Sequence, residues 1–367
     1  MACDYIALAS PGIAGLQPYQ PGKPEEELER ELGLTNIVKL ASNENPMGPS
    51  PSVVAGLSGA LPGLARYPDG SAFRLKQRLS EFLSVGEDQL TLGNGSNGVL
   101  ELIARGYLNA DNEAIVSEHC FVVYPLAARA IGARLTVIPA NEYGQDLTAT
   151  LAAITDKTRM IFIANPNNPT GTWLDVGAVT GFLDQVPENI IVVLDEAYFE
   201  YLQHPDYPDG IRLLDRYPNL VVTRTFSKAY GLAGLRVGYA VSRPDIADLM
   251  NRARQPFNVN SLSLLAAEIA LDDQAHVQKA VSLNQQGLEH LMKACDEMGL
   301  GYIPSAGNFL TIDFGRDAAP IYDALLHRGV IVRPIGVYGL PNHLRATVGL
   351  SSENDRLIEA LSAVLST

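Results

Sequence analysis

Short apolar runs recur along the chain between stretches of helical periodicity. AIVS, RLTVI, RMIFIA, NIIVVLD, NLVVTRT and VGYAV are rich in β-branched residues and show no alternation of inward and outward positions. A strand without a polar face is buried on both sides, so these runs predict a mainly parallel sheet covered by helices, an α/β fold. Between the strand runs, SAFRLKQRLSEFL places Leu75, Leu79, Phe82 and Leu83 on one helical face behind a serine cap, Ser71. VLELIARGYL reads as a second helix. RARQPFN, around Pro256, interrupts the alternation; long helical segments then run to about Gly299. The remainder, NFLTIDF, IYDALLHRG, VIVRP and LRATVG, mixes strand and helix in a smaller unit. Residues 11–30 are rich in Pro and Gly and then acidic, which predicts an extended arm leading into a short helix. The pattern divides the chain into 1–50, 51–258 and 259–367.

With 367 residues, 47% of them hydrophobic, the chain is long enough for two structural units and a large core. Asp plus Glu outnumber Lys plus Arg by 41 to 27, a net charge of -14 with no basic block, which argues against nucleic acid and anionic membranes as partners. An anionic small molecule remains compatible, provided a few arginines are concentrated locally. The start, MACDYIALASPG, lacks the basic and apolar regions of a secretory signal, and no run of 18 apolar residues occurs. Cys3, Cys120 and Cys295 are odd in number and lack metal-ligand spacing, as expected of reduced thiols in a cytoplasm.

The chemistry lies immediately after each apolar run, because ligands of open α/β sheets sit beyond the carboxyl ends of the strands. RMIFIA leads into NPNNPTG, IIVVL into DEAY, LVV into TRTFSK and DQLTLG into NGSNG. One rim therefore receives Asn168, Asp195, Tyr198, Thr225, Ser227, Lys228, Gly95 and Ser96. Singly, each has an ordinary structural explanation as a cap, a turn or a solvated lysine. A capping account does not require all of them on one edge. Gly93, Gly95 and Gly98 also satisfy GxGxxG, which raises the alternative of a nicotinamide-dependent oxidoreductase; that reading leaves Lys228 unexplained. Under either label, backbone N–H groups at a helix start beside a serine hydroxyl suit a phosphate. Pyridoxal 5′-phosphate uses every group: an amine for its aldehyde, a carboxylate for its ring nitrogen, a nest and cation for its phosphate, and donors for its phenolic oxygen.

The ordered series SPGIAGLQPYQPGKP, LASNENPMGPSP, RYPDG, GNGSN, NPNNPTG, DEAY, RTFSKAYGLAGLRVGY, AGNFL, VIVRP and LRATVG resembles the fold type I, aspartate aminotransferase-like family of pyridoxal phosphate enzymes over nearly the whole chain. Within that family it is most similar to the histidinol-phosphate branch. The resemblance implies a large cofactor-binding domain at 51–258 with a seven-stranded, mainly parallel sheet. It also implies a small α+β domain at 259–367 and an arm, 1–50, packing on the small domain. Lys228 would form the covalent link to the cofactor and carry protons, Asp195 would pair with the ring nitrogen, and Asn168 and Tyr198 would bond the phenolic oxygen. Gly95, Ser96 and Asn97, with Thr225, Ser227 and Arg236, would hold the phosphate, and Phe121 would stack on the ring. Tyr67 would reach the cofactor phosphate of a neighbouring subunit in a homodimer. Arg333 and Arg345, with Tyr19 and Asn168, would bind the substrate anion, either histidinol phosphate or glutamate and 2-oxoglutarate, in a ping-pong transamination. The segment IGVYGLPNH before Arg345 keeps an aromatic amino acid aminotransferase open as the alternative.

Overall fold

The computed structural model describes residues 3–18 and 22–366. Seven strands build its main sheet: β1 (Leu90–Asn94), β2 (Glu113–Ser117), β3 (Arg134–Ile138), β4 (Thr158–Ala164), β5 (Ile191–Asp195), β6 (Leu220–Thr225) and β7 (Val237–Val241). Their spatial order is β1-β7-β6-β5-β4-β2-β3. The five strands β2 to β6 run parallel, as the unbroken apolar runs predict. Both faces of the sheet are buried: Ile161, Ile163, Val192, Leu194 and Val222 pack on one side, Met160, Phe162, Ile191, Val193 and Val221 on the other. Each such side chain contributes roughly 1.5–3 kcal/mol on leaving water.

Strand β7 departs from the predicted parallel set, since it pairs antiparallel with both β6 and β1. The segment joining β6 to β7 is too short for the crossover of about a dozen or more residues that a parallel partner requires, so the chain turns straight back. Two details of the predicted helix at 71–83 also change. The helix spans Phe73–Leu83, and Ser71 does not cap it; the Asp69 carboxylate accepts from the Ser71 and Phe73 N–H groups at 2.8 and 2.9 Å. Leu75 and Leu79 are buried, whereas Phe82 is exposed.

Beyond the helices Ser261–Asp272 and Gln274–Met298, a four-stranded antiparallel sheet is built from β8 (Gly301–Ile303), β9 (Phe309–Asp313), β10 (Arg333–Pro334) and β11 (His343–Thr347), in the order β10-β11-β9-β8. The N-terminal segment joins this part of the molecule. Val38–Lys39 pairs in parallel with Val330–Ile331, Thr347 N–H donates to the Leu40 carbonyl at 2.8 Å, and Asn43 N–H donates to Thr347 Oγ1 at 2.9 Å. Residues 40–45 are thereby held between the two sheets.

Close approach of β7 to the helix that starts at Gly95 depends on Gly238. A Cβ there would lie 2.5 Å from Ser96 N and 2.8 Å from the Gly95 carbonyl carbon, and both are backbone atoms that cannot rotate aside. Gly238→Ala is therefore expected to destabilise the fold by about 1–3 kcal/mol. Chemical denaturation of the two proteins measures the difference.

Candidate active site

The parallel strands β4 and β5 end level, Ala164 beside Asp195, and β6 runs two residues past Thr223, the partner of Asp195, so their outgoing loops emerge at one edge. There they surround a cleft lined by Ser96, Asn97, Phe121, Asn168, Asp195, Tyr198, Thr225, Ser227, Lys228, Arg236, Arg333 and Arg345. The fold thus brings together twelve of the residues expected from the sequence, and Gly95 starts the adjoining helix. Tyr67 does not join them within the chain: it is 83% exposed and stacks on Phe257, with ring centroids 4.8 Å apart. Tyr19 lies outside the described residues.

Lys228 sits just past the end of β6, with Nζ donating to the Ser42 carbonyl at 3.2 Å and standing 5.6 Å from the Tyr198 ring centroid. Burial first, then the charges of Arg345 and Arg236, lowers its pKa from 10.5 to about 7, against the opposing pull of Glu44 and Asp195. A substantial neutral fraction at physiological pH is what a nucleophilic amine needs.

Asp195 is buried at the end of β5. Its two oxygens accept from the Tyr124 hydroxyl at 2.7 Å and the Thr223 hydroxyl at 2.9 Å. Burial raises its pKa, against those two bonds. Two hydroxyls, the Ala197 N–H and the charge of Lys228 only partly offset the burial of this carboxylate, which leaves it suited to a cationic N–H. The Tyr198 hydroxyl accepts from Asn43 Nδ2 at 2.8 Å, and burial pushes its pKa up to about 12, so it keeps its proton and can donate. Asn168 has its carboxamide oxygen engaged by Arg345 Nη1, which leaves the NH₂ group as what it offers a ligand.

At the other end of the cleft, the helix Gly95–Tyr107 begins without a side-chain cap from Asn94. Its first-turn N–H groups face Thr225, Ser227 and Arg236, an anion cradle with both dipole and cation. The Thr225 hydroxyl donates to Ser227 Oγ at 3.0 Å, and Arg236 Nη1 reaches Ser227 Oγ at 3.4 Å and the Ala233 carbonyl at 3.1 Å. Gly95 is required twice over. Its φ is +69°, and a Cβ would collide with Arg236 Nη2, where the guanidinium covers the helix start. Arg333 and Arg345 lie directly opposite each other on β10 and β11, both buried. Like charges so paired cost energy, and an anion between them relieves it.

Four contributors were not anticipated from the sequence, Tyr124, Thr223, Ser42 and Asn43, while Tyr338, the aromatic of IGVYGLPNH, also lines the cleft. Tyr124 lies in HCFVVY, three residues beyond Phe121, and meets it edge-on at 5.8 Å. That spacing was the available signal. The residues present fit pyridoxal phosphate at each of its polar points, through the uncapped helix start, the Asp195 carboxylate and the Lys228 amine.

Residues 35–361 match the family described as aminotransferase class I and II, and the chain belongs to that family. It is 58% identical over 356 residues to histidinol-phosphate aminotransferase 1 of Idiomarina loihiensis, covering 97% of each chain. It is 56% identical to histidinol-phosphate aminotransferase 2 of Pseudomonas fluorescens, over 100% of this chain and 99% of that one. Among solved structures, histidinol-phosphate aminotransferase from Sinorhizobium meliloti in complex with pyridoxal 5′-phosphate superposes with a TM-score of 0.91 at 32% identity, covering 98% and 97% of the two chains. The oxidoreductase alternative falls with these matches. Its GxGxxG segment also adjoins an edge strand in antiparallel pairing rather than a central parallel one.

Because the folded pKa of Lys228 is depressed, the unfolded chain binds the extra proton between about 7 and 10.5. Its contribution to folding is therefore complete above 10.5 and lost as pH falls through about 7. In the cofactor-free protein, the rate at which Lys228 captures a pyridoxal aldehyde should rise with a midpoint near 7, and Arg345→Leu should move that midpoint upward. Borohydride trapping at a series of pH values, combined with peptide mapping, reads both.

Proposed function

We propose that this chain is a pyridoxal phosphate-dependent aminotransferase. It transfers the amino group of L-histidinol phosphate to 2-oxoglutarate in histidine biosynthesis, as a homodimer in the cytoplasm. The observation that carries the reading is the placement of Lys228: a buried amine of lowered basicity, between an uncapped helix start at one end of the cleft and a pair of buried arginines at the other. Full-length similarity to histidinol-phosphate aminotransferases supports the substrate. No helix among the described residues is long and apolar enough to cross a membrane.

When bound, pyridoxal phosphate supplies an aldehyde that accepts amines and a ring that takes up the electron pair released at the substrate Cα. The chain does the rest. Lys228 would hold the cofactor through its Nζ, and the same amine, of lowered basicity, would carry the proton taken from the substrate Cα. Asp195, oriented by Tyr124 and Thr223, keeps the ring nitrogen protonated. Tyr198 and the Asn168 NH₂ donate to the phenolic oxygen, while the Gly95–Asn97 N–H groups, Thr225, Ser227 and Arg236 bind the phosphate. Phe121 packs against the ring. Arg333, Arg345 and Asn168, with Tyr19, hold the phosphate of one substrate and the distal carboxylate of the other, so both half-reactions share one anion site. Tyr67 completes the phosphate cradle of the second subunit, which its exposure leaves it able to reach.

Purified protein with pyridoxal phosphate should be yellow, and borohydride should fix the cofactor to the peptide containing Lys228; Lys228→Ala abolishes both the adduct and turnover. A preference for phenylalanine over histidinol phosphate in kcat/KM would favour the aromatic alternative and leave the chemistry intact. Loss of a charge-assisted pair at a buried anion typically costs about 1.5–3 kcal/mol, so Arg345→Leu should lower kcat/KM for histidinol phosphate by about 10–100-fold. The Kd for pyridoxal phosphate should change far less. Steady-state kinetics beside a cofactor titration separates the two effects.

A further inference from the structure

A buried ionic cluster lies on the face of the sheet turned away from the cleft. Side chains alternate along a strand, so while Asp195, Thr223 and Thr225 face the site, their neighbours Glu196 and Arg224 point the other way. Glu196 is 0% exposed and Arg224 is 4% exposed. Arg224 donates to Glu196 Oε2 through Nε at 2.9 Å and Nη2 at 2.7 Å, and Nη2 also reaches Asp209 Oδ1 at 2.6 Å. Glu196 Oε1 accepts from Gly210 N–H at 2.8 Å. The guanidinium carbon lies 3.4 Å from the Phe199 ring centroid. Three of its members are thus chain neighbours of site residues: Glu196 of Asp195, Phe199 of Tyr198, and Arg224 of Thr225.

Stability alone does not call for such a cluster, because apolar residues of similar volume often replace a buried ion pair at no cost. What the pair adds is geometry. A fork of hydrogen bonds between the ends of β5 and β6 fixes how far one strand end slides past the other, and the stacked Phe199 ties in the turn that carries Tyr198. We propose that Arg224 and Glu196, with Phe199 and Asp209, form a positioning device that sets Asp195, Tyr198 and Thr225 against the cofactor. This rests on the function proposed above. The action is through placement: the hydrogen bonds of Arg224 and Glu196 run to each other, Asp209 and Gly210, and none of these reaches the Asp195 carboxylate.

The test compares full-length variants by apoprotein thermal midpoint, Kd for pyridoxal phosphate, the pH midpoint of the visible band of the loaded protein, and kcat. Arg224→Met/Glu196→Gln removes both charges together; Asp209 keeps Arg212 at 3.1 Å, and Glu200 loses the repulsion of Glu196 along with the attraction of Arg224, so the thermal midpoint should stay within about 5 °C of the parent. Its Kd and kcat should each worsen by about 10–100-fold, the scale set by a misplacement on the order of 1 Å, and its band should titrate at a shifted pH. Arg224→Lys keeps the charge without the fork and should fall between. Phe199→Leu loosens the same device without touching a charge, and should lower kcat by about threefold or more with the thermal midpoint unmoved. If the double variant folds and matches the parent within about twofold in Kd and kcat, the proposal is wrong. If it does not fold, Phe199→Leu decides, and an unchanged kcat there is equally fatal. A parent protein that takes up no pyridoxal phosphate overturns the proposed function, and this inference with it.

Discussion

Burying an amine beside two guanidinium groups costs electrostatic energy, and the site is organised around that cost. Lys228 is placed by the end of a strand buried on both faces, half-buried at the wall of the cleft. Its discomfort as an ammonium is what makes it reactive as an amine. The opposing carboxylates, Asp195 and Glu44, are close enough to temper this and not close enough to cancel it. The parallel sheet supplies rigid strand ends, and the helix that starts at Gly95 supplies a fixed positive pole. Little in the cleft has to be ordered at the moment of binding, which is how preorganised sites limit the entropy lost by their ligands.

The same constraint bears on the second anion site proposed above. Arg333 and Arg345 face each other on strands of the smaller sheet, while Arg345 also binds Asn168 on the larger one and the Ala41 carbonyl between them. One guanidinium therefore ties together three parts of the chain distant in sequence: its own strand, the segment at Asn168 and the strip at Ala41. Loop position and lysine basicity are coupled through that contact, and in the proposed function so is the charge of the substrate.

Much of this was legible in the sequence because the decisive residues come directly after apolar runs. NPNNPTG, DEAY and TRTFSK each mark a strand end, and the resemblance they carry in that order identified Lys228, Asp195, Asn168 and Arg236. The residues that escaped notice have a common cause. Tyr124 and Thr223 are ordinary core residues until the fold turns their hydroxyls onto Asp195, and the carbonyls of Ala41 and Ser42 carry no side-chain signature at all. The reversed direction of β7 was hidden because an apolar run looks the same read either way, and only the length of the connection distinguishes them. At Ser71 the local rule for helix caps lost to Asp69, a better acceptor two residues earlier.

The contact between Asn43 and Thr347 spans nearly the full length of the chain. Since synthesis proceeds from the N-terminus, the strip whose Ser42 carbonyl accepts from Lys228 has, among the described residues, only its bonds to Tyr198, Lys228 and Ala229 until the C-terminal strands have been made. The phosphate cradle and Asp195 can form well before that, from a nascent polypeptide whose lysine still lacks its lid. Competence therefore arrives late on the ribosome, as the tail closes over the head.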